Sequence, residues 1–437
     1  MRILISFLVS MVLTDYAFSK DSLVIISPHR KSIQVEFIPK FEKYYKEKYK
    51  SEISVDWLDQ GGASDDLKFI LARFEKNPKT SMIDILWGGG EHPHYELDDK
   101  NLLEPYKIPP DLKKEVPATV AGVKLYNETE TWHASALSSF GIFFNKLLLK
   151  MLKISKEPQV WSDLADKQFF NNLSNADPRR SSSNVTMNFV ILQAEGWDKG
   201  WETLTRIAGN TRSFRHSSSD PIKDVVSGDA AAGLAIGYFA NAKIGDLGAA
   251  RLGFSLPAEQ SIINPDPISI LKGAPNSIPA QRFVEFLLSS DSQKLLLLPK
   301  GAKEGPQQSS LARMAVNKKS YEETEGKRIN RLNPFALNIK PMSLDVNRVT
   351  LVQFVLTDLF GTLLIDHHQE LKDAWKAIID RGMKPEDLKS LAQMPVTEKE
   401  LETLAGKWKD NVFRNKTINE WHEFASKKYA GLKSVKK

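Results

Sequence analysis

Short, fully apolar segments alternate with amphipathic ones along the first part of this chain, and that alternation constrains the fold more than any other feature. Leu23-Val24-Ile25-Ile26 has the continuous apolar character of a strand buried on both faces. It gives way at Ser27-Pro28-His29 to a helical segment with Ile33, Phe37, Phe41, Tyr44 and Tyr45 on one face. A second strand is expected over Ile53 to Trp57, followed by the loop Gln60-Gly61-Gly62-Ala63-Ser64. There Ser64 is expected to cap a helix carrying Leu67, Ile70, Leu71 and Phe74. A third strand, Ile83 to Trp87, runs into Gly88-Gly89-Gly90. Such alternation predicts an α/β fold with a parallel sheet covered by helices. Ligands in these folds bind beyond the carboxyl ends of the strands.

The middle of the chain repeats the scheme with different loops. Thr131 to Asn145 reads as extended chain, and Asn175-Ala176-Asp177-Pro178 ends a strand-like approach. The polar run Arg179-Arg180-Ser181-Ser182-Ser183-Asn184 then precedes a helix over Val185 to Ala194. Further expectations are a helix over Asp220 to Val226 and a small-residue strand over Ala230 to Ile236, ending at Gly237-Tyr238-Phe239. A strand near Ile268 to Leu271 and a helix over Ala280 to Leu288 follow. Beyond Gly301 to Ser309 the character changes. Val346 to Arg381 and Glu398 to Ala430 read as long helices, with Leu351, Phe354, Val355 and Leu359 as an internal face.

The first residues carry a different message. Arg2, the apolar run Ile3 to Leu13 and the small residues of Ala17-Phe18-Ser19 have the form of a cleavable signal peptide, with the mature chain starting near Ser19 or Lys20. No later segment is expected to be apolar and long enough to cross a bilayer. The chain has no cysteine, which excludes disulfides, thiolate metal sites, cysteine nucleophiles and a lipoprotein anchor. With 437 residues it can build cores for two domains. The net charge of +6 is dispersed rather than clustered, so nucleic-acid binding is not expected.

An ordered set of segments resembles a known family. Leu23 to His29 with its following helix, Phe140-Gly141-Ile142-Phe143-Phe144-Asn145-Lys146 and Pro158-Gln159-Val160-Trp161-Ser162-Asp163-Leu164 are similar to periplasmic solute-binding proteins of ABC importers. Asp177-Pro178 with its serine loop, Val226-Ser227-Gly228-Asp229-Ala230-Ala231-Ala232-Gly233, Pro265-Asp266-Pro267-Ile268 and Phe283 to Ser289 continue the likeness. The branch is that of iron(III), thiamine, phosphonate and sugar-phosphate binders. The resemblance implies a type II periplasmic-binding-protein fold with hinge strands, lobe 1 over 20–132 with 262–306 returning to it, and lobe 2 over 136–258. It also implies venus-flytrap closure on a small solute about a hinge near Trp132 to Ala136, an ABC permease as partner, a monomer in the periplasm, no catalysis and no cofactor. Residues 330–437 are left as a helical extension packing on the lobes.

Three helix N-termini offer anion chemistry: Gly62-Ala63-Ser64, Ser181-Ser182-Ser183-Asn184 and Ser217-Ser218 before Asp220. Ser27, His29, Trp87, Gly88, Tyr238 and Asp266 complete the candidate ligand-binding set. An anionic solute, such as an organophosphate or phosphonate, is expected. The rival is iron(III), for which Tyr238 and His29 would be ligands. Related iron carriers have adjacent tyrosines, however, and Phe239 stands in the second place. His92-Pro93-His94 is expected to be a surface turn and His367-His368 a solvated helix face. An exported hydrolase lacks support, since no Gly-x-Ser-x-Gly or His-Glu-x-x-His motif is present. A sensor input for a membrane kinase is the remaining alternative.

Overall fold

The computed structural model of the protein describes residues 20–337 and 340–434. The expected signal peptide, 1–19, lies outside the described residues. Eight strands form the spine of a ten-stranded sheet, in the order Ile53–Leu58, Asp21–Ile26, Ile85–Trp87, Ile263–Leu271, His133–Asn145, Ala232–Ile236, Leu173–Ala176, Thr211–Arg215. The first three run parallel to one another, as do the last three. The two central strands run antiparallel to each other and to their outer neighbours. This is the two-lobed type II arrangement, with one parallel set in each lobe.

The strand His133–Asn145 belongs to both lobes, and all thirteen of its residues are buried. Its first half pairs with Ile263–Leu271, from His133 opposite Ile268 to Ser139 opposite Ile263. Its second half pairs with Ala232–Ile236, starting at Phe140 opposite Ile236. The change of partner thus falls at Ser139 and Phe140, a few residues beyond the expected hinge segment. In the partner strand the register shifts between Asp266 and Pro267. A proline cannot donate to the ladder, which accounts for a break at this point.

Two large cores flank this junction. One joins Leu23, Ile25, Phe37, Phe41, Trp87, Ile268, Phe283 and Phe286. The other joins Trp161, Trp201, Leu204 and Leu234 to Val352, Leu359, Phe360, Leu371, Trp375, Trp421 and Tyr429. The C-terminal helices therefore complete the core of the second lobe rather than standing apart from it. They are Val346–Phe360, a π-helical turn Gly361–Asp366, His368–Asp380, Pro385–Ala392, Glu398–Ala405 and Asn411–Ser434.

Several expectations change. The helix Ala63–Lys76 begins two residues earlier than expected, after Gly62, so Ser64 lies in its first turn and does not cap it. The buried face of Val346–Phe360 is Val352, Val355, Leu356, Leu359 and Phe360, while Leu351 and Phe354 are exposed at 52% and 68%. That helix is apolar on most of its circumference, so spacing alone does not choose its inner face. By length and composition Val346–Asp366 could cross a bilayer, contrary to expectation, yet half of its most apolar window is buried within the protein. His92 and His94 lie on the helix Glu91–Asp99, not a turn, and His94 is fully buried. His367 and His368 are half-buried rather than solvated; His368 donates from Nε2 to the Ala208 carbonyl.

Candidate functional site

The carboxyl ends of the first-lobe strands come together around one buried carboxylate. His29, just beyond Asp21–Ile26, approaches Asp266 with Nε2 at 2.8 Å from Oδ2, and its Nδ1 lies 3.1 Å from Ser27 Oγ. The carboxylate accepts, so Nε2 is the donor of this bond. Arg313, from the segment Leu311–Val316, donates from Nη1 to the same Oδ2. Burial alone would raise the Asp266 carboxyl, but His29 and Arg313 outweigh it and hold it below the usual carboxylate range. Ser135 fixes the base of the arrangement, accepting from Trp87 Nε1 at 2.8 Å and donating to the Asp266 carbonyl at 2.8 Å.

Gly88 is required here by a close approach. A Cβ on Gly88 would lie 2.3 Å from His29 Cε1, and its φ of +83° is a conformation that side chains disfavour. Gly88→Ala is therefore expected to displace His29 from Asp266. The check is a lowered melting temperature, together with loss of whatever ligand affinity the native chain has. Gly89 packs closely on Ala63, at 2.9 Å from a built Cβ to the Ala63 Cβ, which sets the second helix N-terminus beside the glycine run.

His94 holds the same run from below. The Gly88 carbonyl can only accept, so Nε2 of His94 donates to it at 3.1 Å, and Nδ1 accepts from Ser269 Oγ at 2.7 Å. Burial lowers its pKa to about 4. Between that value and the ordinary 6.5 the unfolded chain holds a proton that the folded chain does not. The stabilisation is complete above pH 6.5 and is lost as pH falls towards 4, by up to about 3 kcal/mol from this group. Denaturant titrations across that window are expected to show this slope, and His94→Gln to flatten it.

The second lobe meets this cluster through aromatic rings. Tyr238 and Phe239 open the helix Gly237–Leu247, their rings 4.4 Å apart. The Arg313 guanidinium lies 4.3 Å from the Tyr238 centroid, and Arg30 lies 4.3 Å from that of Phe239. Two cations from the first lobe thus stack on two rings from the second. Burial raises the Tyr238 phenol, with Arg313 opposing, so the phenol keeps its proton at neutral pH.

The three helix N-termini differ. In Ala63–Lys76 the first turn holds Asp65 and Asp66, and burial pushes the Asp66 carboxyl up to about 6. In Asp220–Ser227 the Asp220 carboxylate accepts from the Ser217 amide at 3.2 Å and pairs with Lys223 at 2.8 Å, so that end carries its own anion. The helix Ser182–Glu195 has no acidic residue in its first turn, and its N-cap Ser181 makes no side-chain cap. Ser181 Oγ instead donates to Asn184 Oδ1 at 3.1 Å, and Asn184 is turned inward and buried. Ser182 is exposed and Ser183 half-exposed.

Ser27, His29, Trp87, Gly88, Tyr238 and Asp266 are thus brought together, with Gly62, Ala63 and Ser64 alongside. Among the described residues no hydrogen bond or ion pair joins Ser181–Asn184, Ser217 or Ser218 to the Asp266 cluster. Arg313 and Arg30 escape the sequence reading. Arg313 stands in an otherwise apolar run, Leu311-Ala312-Arg313-Met314-Ala315-Val316, and an isolated arginine in such a run is the signal that could have found it.

A family model for bacterial extracellular solute-binding proteins matches residues 81–319. The chain is 25% identical over 295 residues to the phosphoglycerate transport regulatory protein PgtC of Salmonella typhimurium, spanning 66% of this chain and 69% of that protein. An uncharacterized protein of Haemophilus influenzae is 25% identical over 255 residues, 58% of this chain and 70% of that one. Among solved structures, the periplasmic binding protein AfuA from Actinobacillus pleuropneumoniae, with fructose-6-phosphate bound, aligns at a TM-score of 0.55 and 22% identity over 84% of this chain and 100% of AfuA. The apo ferric ion-binding protein A of Pasteurella haemolytica aligns at 0.57 and 14%, over 80% and 98% of the two chains. At these identities the structural likeness speaks for the fold alone.

Proposed function

The chain belongs to the bacterial extracellular solute-binding protein family, and on that premise we propose that it captures a small anionic solute between its lobes and delivers it to an ABC permease. An organophosphate or phosphonate suits the site. The observation that carries this reading is the contrast among the helix N-termini. Two hold carboxylates of their own, while the one at Ser181–Asn184 presents the Ser182 and Ser183 hydroxyls and the positive end of the dipole, with no acidic residue in its first turn. Arg313 and Arg30 supply the cationic side of the opposite lobe. A phosphoglycerate-named relative and a sugar-phosphate-bound neighbour agree in charge and class.

Iron(III) fits less well. His29 is already committed to Asp266 and Ser27, and Phe239 has no donor atom. The Arg313 guanidinium lies against both Asp266 and Tyr238, so a trivalent cation at those oxygens would meet a fixed positive charge. Iron binding would give a visible tyrosinate charge-transfer band that Tyr238→Phe abolishes; the anion reading expects no such band.

The double variant Ser182→Ala, Ser183→Ala is expected to weaken binding of the preferred anion by about 1–3 kcal/mol, measured by calorimetry. Unchanged affinity would remove these serines from the site. Turnover of phosphate esters by the pure protein would contradict a binding role. The word regulatory in the Salmonella relative's name favours a second reading, in which the loaded protein is the input to a membrane kinase. Capture of a permease or of a kinase by the liganded protein separates the two.

A further inference from the structure

The C-terminal extension reaches back to the loop that opens the helix Ser182–Glu195. In that loop Asp177 accepts from the Arg179 amide at 2.9 Å, from Arg179 Nε at 3.1 Å and from Nη2 at 2.9 Å, and the Arg180 amide donates to the Asp177 carbonyl at 3.0 Å. Arg179 is thereby folded back over the turn that delivers Ser181. Its remaining Nη1 donates to both oxygens of Asp366, at 2.8 and 3.1 Å, across 187 residues of sequence. One guanidinium is shared by a loop carboxylate and an extension carboxylate.

The extension is shaped for this contact. Its first helix, Val346–Phe360, widens into the π-helical turn Gly361–Asp366 before His368–Asp380 begins. Such turns are rare and concentrate at functional sites. The Tyr429 hydroxyl donates to the Leu363 carbonyl at 2.9 Å and so secures the widened turn. Gly361 has ordinary helical angles, φ −58° and ψ −50°, so no backbone strain calls for glycine there. A Cβ would lie 2.7 Å from Arg179 Cδ and 2.8 Å from its Nε. The glycine is what lets the turn and the guanidinium meet.

We propose that the extension is a positioning element for the Asp177–Asn184 loop, acting through Asp366 on Arg179, and that it thereby tunes the affinity of that loop for an anion. The inference rests on the anion reading above. Arg179 and Asp366 keep 33% and 36% of their side-chain surface exposed, and pairs this exposed contribute little to global stability. A change in affinity without a change in folding is therefore the mark of positioning.

The test is calorimetric titration of the full chain with 3-phosphoglycerate and, separately, inorganic phosphate. Asp366→Asn is expected to weaken binding about three- to thirtyfold with the melting temperature nearly unchanged. Gly361→Ala should act in the same direction, and Asp366→Asn should add nothing in an Arg179→Ala background. Asp373→Asn, which breaks the Asp373–Lys433 surface pair of the same extension, should leave affinity as it is. Native affinity in Asp366→Asn, while Ser182→Ala, Ser183→Ala loses binding, overturns the positioning role and leaves the anion reading standing. Equal losses in Asp366→Asn and Asp373→Asn also overturn it. A native chain that binds neither probe overturns both.

Discussion

Replacing Arg313 with alanine is expected to destabilise the protein by about 3–5 kcal/mol, because it leaves a buried carboxylate without its guanidinium. Asp266 and Arg313 are 7% and 8% exposed, and only the hydrogen bond from His29 would remain to the carboxylate side chain. Most of the cost is the stranded charge rather than the lost attraction. Removing both partners in Arg313→Ala, Asp266→Ala should therefore recover part of the stability lost in Arg313→Ala alone. The native Asp266 carboxyl is held low, so its contribution is present above about pH 4 and is lost on acidification below that. Arg313→Ala should shrink that acid-sensitive part. Urea titrations of the four chains complete the cycle; a single-variant cost below about 1 kcal/mol would mean that the pair is hydrated and not structural.

A comparable loss is expected at Trp375. It is fully buried in the second-lobe core, and its Nε1 donates to Asn210 Oδ1 at 2.7 Å. It lies against Gly209, where a Cβ would come within 2.7 Å of Trp375 Cδ1. Trp375→Ala removes a large packed ring and strands a buried amide, a combined cost of about 4–6 kcal/mol. The extension should then loosen from the lobe and become a substrate for limited proteolysis between 330 and 434. Resistance equal to the native chain would show that the extension is held by other contacts.

The architecture of the first lobe is legible because its buried strands are continuous apolar runs ending in glycine or polar turns. Leu23–Ile26 is such a run, and so is Ile85–Trp87, where the strand starts two residues later than expected because Asp84 interrupts the run; the loops after both carry the site. The crossing strand is legible as extended chain, but the point where it changes partners is not, since both halves are apolar. The extension shows its helices through their periodicity and hides their docking face, because Val346–Phe360 is apolar nearly all round. Arg313 is hidden for another reason. Its apolar neighbours in sequence hint at burial, but its partner Asp266 is 47 residues away, and nothing local names that partner. The histidines at 92–94 and 367–368 mislead in the opposite sense, since burial depends on packing that their neighbours in sequence do not report.

What the interlobe cleft of a solute-binding protein of this build selects separates the anion reading from the iron reading. Calorimetric titration of the purified chain with 3-phosphoglycerate, fructose 6-phosphate, a simple phosphonate and ferric citrate tests that directly. The prediction is saturable one-to-one binding of a phosphorylated or phosphonate anion without turnover, weakened in Ser182→Ala, Ser183→Ala. Saturable uptake of iron with a tyrosinate band, and no heat from any of the organic anions, would contradict it.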